Sequence, residues 1–334
     1  MNVSMWAKAL RIIPRITKEE WQNLDVISKW LIATRAAVLI MTFLSAAIAG
    51  MYAWKDGMFD LGRWILLVIG LVFAHATNNM INDLTDYQKG VDKDNYFRTQ
   101  YGPQPIQQGL MTRNEILRYI AITGLFALAA GIPLVLANGI IAWILLASGV
   151  IFVLFYTWPL KYIGLGEIAV ILVWGPLMIG GGYFVITGLW SWQVVIASLP
   201  YALGTTMVIF GKHIDKLAQD KAKRIFTLPV LLGEKNARAT AIGMMVVQYL
   251  LVIYLILSGY FTPIMMLILT ALYTFPRVWR MFSNAKPEEC PADYAEEIWP
   301  LWFVAGAFYH NRFFGLIFLG SLVLELAFGP LLFP

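Results

Sequence analysis

Runs of about twenty apolar residues recur nine times along this chain, at roughly 31–54, 62–84, 115–136, 139–158, 165–187, 192–214, 238–258, 262–282 and 312–332. A bilayer's hydrocarbon core takes ~20 helical residues to cross. Inside it each backbone N–H and C=O must be satisfied within the segment, which selects helices. With 334 residues, 59% of them hydrophobic and 13% charged, the chain has more apolar sequence than one soluble core can hide. The expected fold is all-α: a multi-pass bundle of nine membrane helices forming one integral membrane domain over 1–334. The eighth run is the weakest, because Pro276 and Arg277 interrupt its end. The segment 296–310 is apolar but short and holds Pro300, and is expected to lie in the interface.

Residues 1–30 read as a cytoplasmic segment, either interfacial, with Trp6, Ile12, Ile13 and Trp21 among basic residues, or a plain flexible tail. They contain no long apolar core and no small-residue cleavage site, so they are not read as a signal peptide. A single cysteine, Cys290, excludes an intramolecular disulfide.

The loops alternate in character. Those after the first, third, fifth and seventh runs are short and carry little charge beyond Lys55 and Arg63. Those after the second, sixth and eighth are long and rich in lysine and arginine, and the loop after the fourth holds Lys161. The positive-inside rule puts the N-terminus and the polar loops in the cytoplasm of a cell membrane, and the C-terminus outside. The net charge of +5 is thus a matter of membrane orientation and not a nucleic-acid footprint.

The polar groups fall in two clusters. The first runs from His75 to Gly109. At ~100° per residue, His75, Asn79, Asn82, Asp83 and Asp86 share one helical face. Carboxylates at the end of an apolar helix are costly unless water, a partner or a metal meets them. The second cluster runs from Phe210 to Arg238. There His213, Lys216 and Asp220 lie within ~60° of one another on a helix. A basic helix resting on lipid phosphates accounts for its lysines, but not for His213 and Asp220. Both clusters face the same compartment, which points to one site. Paired hard oxygen ligands among lysines and arginines fit Mg²⁺ carrying a diphosphate. Beside a membrane, that implies a lipid-linked allylic diphosphate as substrate, whose ionisation leaves a cation that aromatic faces can stabilise.

Taken together, these residues resemble the UbiA-type intramembrane prenyltransferases. Asn79-x-x-Asn82-Asp83-x-x-Asp86-x-x-x-Gly90-x-Asp92 is similar to the family's first Asp-rich motif. Asp220, followed by Thr227-Leu228-Pro229-Val230 and Gly233-Glu234, is similar to the second. The resemblance implies helices around a central cavity, capped by cytosolic loops, and transfer of a polyprenyl chain from its diphosphate to an acceptor, usually aromatic. Gly90-x-Asp92, Gly102-Pro103, Gln108-Gly109 and the stretch Tyr156 to Val185 point to the 1,4-dihydroxy-2-naphthoate type of menaquinone synthesis. On this basis Asn79, Asp83 and Asp86 hold one Mg²⁺, and Asp220, with Asp215, holds another. Asn82, Arg98, Tyr156, Lys161, Lys212, Lys216 and Arg224 meet the diphosphate. Gly180, Gly181 and Gly182 read as close helix packing.

The chain departs from the family's pattern at Lys216, where relatives usually carry an acid, and at His213, where they often carry Asp or Asn. Asp215 is the nearest displaced acid, but an unbroken helix turns it ~140° from Asp220. Its use as a ligand requires a break near Lys216; otherwise Asp220 holds the metal with fewer protein ligands, water takes the missing place and Lys216 contacts phosphate as a point charge. Imidazole is a poor Mg²⁺ ligand, so His213 is assigned to diphosphate binding or acceptor deprotonation. Other acceptors fit the same motifs: hydroxybenzoate, homogentisate, a tetrapyrrole or a glycerol phosphate. A secondary transporter would instead place its polar groups at the midplane of broken, repeated helices. A scaffold has no use for two acid-bearing motifs. No nucleic acid and no obligatory protein partner is expected.

Overall fold

The computed structural model describes residues 2–91, 102–296 and 298–333. Asp92 and Arg98, both named above, lie outside the described residues. Among the described residues all regular secondary structure is helical. By length and composition, seven helices are able to cross a membrane: Ala36–Lys55, Leu61–Gln88, Arg113–Asn138, Gly166–Thr187, Trp192–Asp215, Glu234–Leu257 and Phe303–Gly329. Two expected spans fall short of that measure. Ile140–Phe155 is apolar but only 16 residues long. The eighth run is split into a 3₁₀ helix, Pro263–Thr274, and an α-helix, Phe275–Ser283. Pro276 sits in the first turn of the latter, where its missing N–H costs nothing.

Two boundaries differ from the sequence expectation. The first run is broken: one helix covers Val26–Ala33 and the next starts at Ala36. The last helix begins at Phe303 and not near 312, so most of the segment expected in the interface is its first two turns.

The helices cluster into two compact units. The first comprises Met1–Ala47 and Leu61–Trp158, the second Ile48–Asp60 and Pro159–Pro334. In the first unit, Leu61–Gln88 packs along Arg113–Asn138. The N-terminal segment belongs to this unit's core: Ala9 and Trp21 are buried with Ile32, Met80, Met111 and Ile116. The other face of its helix Val3–Arg11 leaves Val3 and Leu10 exposed beside Lys8 and Arg11.

The second unit is built around Trp192–Asp215, which packs against Glu234–Leu257, Phe303–Leu332 and Val173–Gly180. Small residues permit this. A Cβ on Gly180 would stand 2.9 Å from Val195 Cγ2, consistent with close packing there. On Gly211 it would stand 2.7 Å from the Phe303 carbonyl oxygen and 2.9 Å from Val304 Cα. Backbone atoms cannot swing aside as a side chain can. Gly211→Ala is therefore expected to destabilise the protein by about 1–3 kcal/mol, read as a lower melting temperature in detergent; an unchanged melting temperature would contradict the close approach.

Candidate active site

The first unit presents its polar cluster at the end of Leu61–Gln88. Asp83 and Asp86 are both buried. The helix stops just beyond them because Gly90 takes φ 67°, a left-handed value that glycine adopts without strain. Val91 N–H then reaches back to the Asp86 carbonyl at 2.9 Å. The asparagines hold neighbouring elements. Asn78 Nδ2 donates to the Val153 carbonyl at 2.9 Å, Asn79 Nδ2 to the Thr34 carbonyl at 2.8 Å, and Asn82 Nδ2 to Thr157 Oγ1 at 3.0 Å. His75 Nδ1 lies 2.7 Å from Thr42 Oγ1.

The break in the first run has a chemical consequence. It leaves the Thr34 carbonyl without a helical donor, which Asn79 supplies. Arg35 takes φ 54°, a left-handed value that costs a non-glycine residue roughly 1–2 kcal/mol. Its guanidinium is ion-paired with Asp83. In the sequence Arg35 falls inside the first apolar run, where periodicity alone assigns it no partner. An arginine in LIATRAAVLI, opposite an acid stripe, was the available signal.

The second unit carries the other cluster. The helix Trp192–Asp215 does break at Lys216, which takes φ −113° and ψ 21° before Leu217–Ala222 begins. The break does not turn Asp215 toward Asp220. Asp215 is buried against the start of the last helix, where Oδ1 accepts from Trp302 N–H at 3.2 Å and Phe303 N–H at 3.0 Å, and Oδ2 from Val304 N–H at 2.9 Å. Both oxygens thus cap helix Phe303–Leu332, in which the first N–H groups have no intrahelical acceptor. The expectation of a displaced metal ligand does not match this placement. Nearby, burial lowers the pKa of Lys286, and the Asp215 charge opposes that shift.

Lys216 Nζ pairs with Asp220 Oδ1 at 2.8 Å, and both residues are buried. The other oxygen, Asp220 Oδ2, is buried and accepts no hydrogen bond among the described residues. Arg224 closes the short helix at φ 56°, and Ile225 N–H bonds the Asp220 carbonyl at 2.8 Å. Arg224→Gly is expected to stabilise the fold by about 1 kcal/mol, because glycine adopts this φ freely. A higher melting temperature in detergent is the expected result; a lower one would contradict the strain.

Lys161 is buried in the 3₁₀ helix Leu160–Ile163 of the same unit. Phe226 N–H bonds the Tyr162 carbonyl at 3.3 Å, which ties this turn to the tail of the second cluster. Tyr156, at the end of Ile140–Phe155, belongs to the first unit. Lys212 is half-buried and Arg224 is exposed. His213 is buried and its Nδ1 lies 2.5 Å from Glu167 Oε1. Glu167 Oε2 accepts the Leu228 N–H at 3.2 Å. Glu167 is equally hard to read from the sequence. It sits at the head of the apolar run GEIAVIL, and its partner is 46 residues away.

These residues suit a hard cation of modest demand. Among the described residues no three His, Cys, Asp or Glu side chains gather as a closed metal cage. Mg²⁺ ordinarily takes one or two carboxylates, water and substrate phosphate. In the first unit the buried carboxylates Asp83 and Asp86 stand one helical turn apart, and in the second Asp220 Oδ2 is buried with no hydrogen-bond partner among the described residues; each unit by itself offers no more carboxylates than Mg²⁺ ordinarily takes.

The profile of the UbiA prenyltransferase family matches residues 43–304. The chain belongs to the UbiA prenyltransferase family. It is an integral membrane prenyltransferase. It is 28% identical over 227 residues to the 1,4-dihydroxy-2-naphthoate octaprenyltransferase of Escherichia coli, covering 65% of this chain and 72% of that protein. It is 26% identical over 275 residues to the UbiA prenyltransferase domain-containing protein 1 of Danio rerio, covering 78% and 79%. Among solved structures, the apo UbiA homologue from Aeropyrum pernix K1 superposes with a TM-score of 0.63 at 18% identity, over 85% of this chain and 97% of that one. A homologue from Archaeoglobus fulgidus, bound to GPP and Mg²⁺, gives 0.56 at 16%, over 88% and 99%.

Proposed function

We propose that this enzyme transfers a polyprenyl group from an allylic diphosphate to 1,4-dihydroxy-2-naphthoate in a Mg²⁺-dependent reaction. The observation that carries this proposal is the buried acid set: Asp83 with Asp86 at one helix end, and Asp220 with one oxygen left bare. Burying three carboxylates is costly, even with Asp83 paired to Arg35 and Asp220 to Lys216. The set makes sense if cations and phosphate complete it. Asp83, Asp86 and Asn79 would hold one Mg²⁺ and Asp220 another, while Asp215 is left to its helix cap. Bound Mg²⁺ supplies charge neutralisation and stabilises diphosphate as a leaving group. Arg35 balances Asp83 and fixes its rotamer. Lys161, Lys212, Lys216 and Arg224, with Asn82, Tyr156 and Arg98, bind the diphosphate oxygens, and the prenyl chain lies among apolar helix faces. The acceptor assignment is supported by the Escherichia coli relative's name and by the sequence motifs in 90–109 and 156–185.

The test is a product assay by mass spectrometry. Purified protein, Mg²⁺ and prenyl diphosphates of several lengths are offered a panel of aromatic acids. Prenylated naphthoquinol from 1,4-dihydroxy-2-naphthoate is expected. Product from hydroxybenzoate or homogentisate alone would overturn the acceptor but not the reaction class.

The polar loops are assigned to the cytoplasm. Reporter fusions within 219–224 are expected to read cytoplasmic, and fusions after Asn138 and at the C-terminus to read outside. A cytoplasmic reading after Asn138 would reverse the orientation.

A further inference from the structure

Glu167 and His213 form a buried carboxylate–imidazole pair that neither Mg²⁺ nor diphosphate binding explains. Both side chains are almost wholly inaccessible, at 1% and 3% exposure, with 2.5 Å between Glu167 Oε1 and His213 Nδ1. Glu167 is held from its other side by the Leu228 N–H, so its position does not depend on the histidine. A neutral imidazole carries one N–H. Facing a carboxylate, that hydrogen sits on Nδ1, and the lone pair is then on Nε2. A ring held in this way presents an acceptor, which repels phosphate oxygens and accepts a hydrogen bond from a hydroxyl. The pair lies where Trp192–Asp215 leaves the apolar bundle, one turn before Lys216 and two before Asp220.

We infer that His213 is the proton acceptor for the aromatic acceptor's hydroxyl, and that Glu167 is the positioning residue that fixes its tautomer and ring orientation. The inference rests on the prenyl transfer proposed above and decides between the two roles open to His213 from sequence. In the step, the hydroxyl O–H bond breaks and its proton goes to His213 Nε2. The oxygen lone pair drives the ring π pair onto C1 of the prenyl group, and the C1–O bond breaks with its electrons leaving on diphosphate. The attacked carbon then loses its hydrogen as a proton to water, or its carboxylate as carbon dioxide. The bonding pair returns to the ring in either case, and His213 returns its proton to the oxygen. A positioned base of this kind contributes on the order of 10²–10⁴ in rate.

The experiment uses purified full-length enzyme with Mg²⁺, farnesyl diphosphate and 1,4-dihydroxy-2-naphthoate. Four proteins are compared: wild type, Glu167→Gln, His213→Gln and the double variant, each checked for monodispersity and melting temperature. The expected result is a fall in kcat on the order of 100-fold in each single variant. The KM for farnesyl diphosphate should stay within about two-fold, and the double variant should be no slower than His213→Gln, since residues acting as a unit are not additive. Glu167→Asp is expected to recover part of the loss, and a variant that folds but shows no recovery counts against the positioning role. If Glu167→Gln does not fold, His213→Gln decides, because it leaves the Leu228 N–H its acceptor. A raised KM for farnesyl diphosphate at constant kcat would overturn the inference and return His213 to diphosphate binding. Independent, additive losses would overturn it as well. Wild-type protein that transfers to no acceptor would instead refute the proposed function, a result separate from either.

Discussion

Asp86→Asn, Asp83→Asn and Asp220→Asn are each expected to lower turnover of a prenyl diphosphate by a factor on the order of 10²–10³. The size follows from removing one group that stabilises charge in the transition state, about 3–4 kcal/mol. Asparagine keeps the shape of the side chain and loses the charge, so the effect reads electrostatics and metal ligation more than packing. The three variants should differ in stability. Asp83→Asn takes the negative charge out of the Arg35 ion pair, and Asp220→Asn takes it out of the Lys216 pair. A charge left buried after its partner is removed is destabilising. Melting in detergent must therefore be measured beside turnover. Near-normal turnover in any folded variant of the three would remove that carboxylate from the mechanism.

Asp215→Asn should behave in the opposite way. The carboxylate accepts three backbone N–H bonds at the start of Phe303–Leu332. An asparagine offers one acceptor oxygen and points a donor at one of those N–H groups. A lost cap costs about 1 kcal/mol and hydrogen bonds to a charged group about 1.5–3 kcal/mol, so a clear fall in melting temperature is expected. The Mg²⁺ concentration for half-maximal activity should be unchanged. If Asp215→Asn leaves the melting temperature alone but raises the Mg²⁺ requirement, the helix-cap role is wrong and Asp215 is a ligand after all.

Much of the fold was legible in the sequence, because a bilayer imposes its length on whatever crosses it. Seven of the nine apolar runs appear as helices long enough to span. The acid stripe was legible too, since Asp83 and Asp86 share a face by simple periodicity. What could not be read were partners fixed by tertiary contact. Glu167 looks like a stray acid in an apolar helix until His213 is seen beside it. Asp215 looks like a misplaced metal ligand until the amides of residues 302–304 are seen around it. The break at Thr34 and Arg35 has no proline or glycine to announce it. It is held by Asn79 and Asp83, more than forty residues on. The early start of the last helix has a similar cause: Pro300 suggests an interruption through 310, whereas the Asp215 cap lets the helix start at Phe303.

In the proposed reaction, buried carboxylates and a divalent metal together drive prenyl transfer. The deciding experiment is turnover of farnesyl diphosphate with 1,4-dihydroxy-2-naphthoate by the purified protein, first in excess EDTA and then with Mg²⁺ restored. Product should be absent in EDTA and return with Mg²⁺, and it should not return in Asp83→Asn or Asp220→Asn protein. Full turnover in EDTA would contradict a metal-dependent reaction.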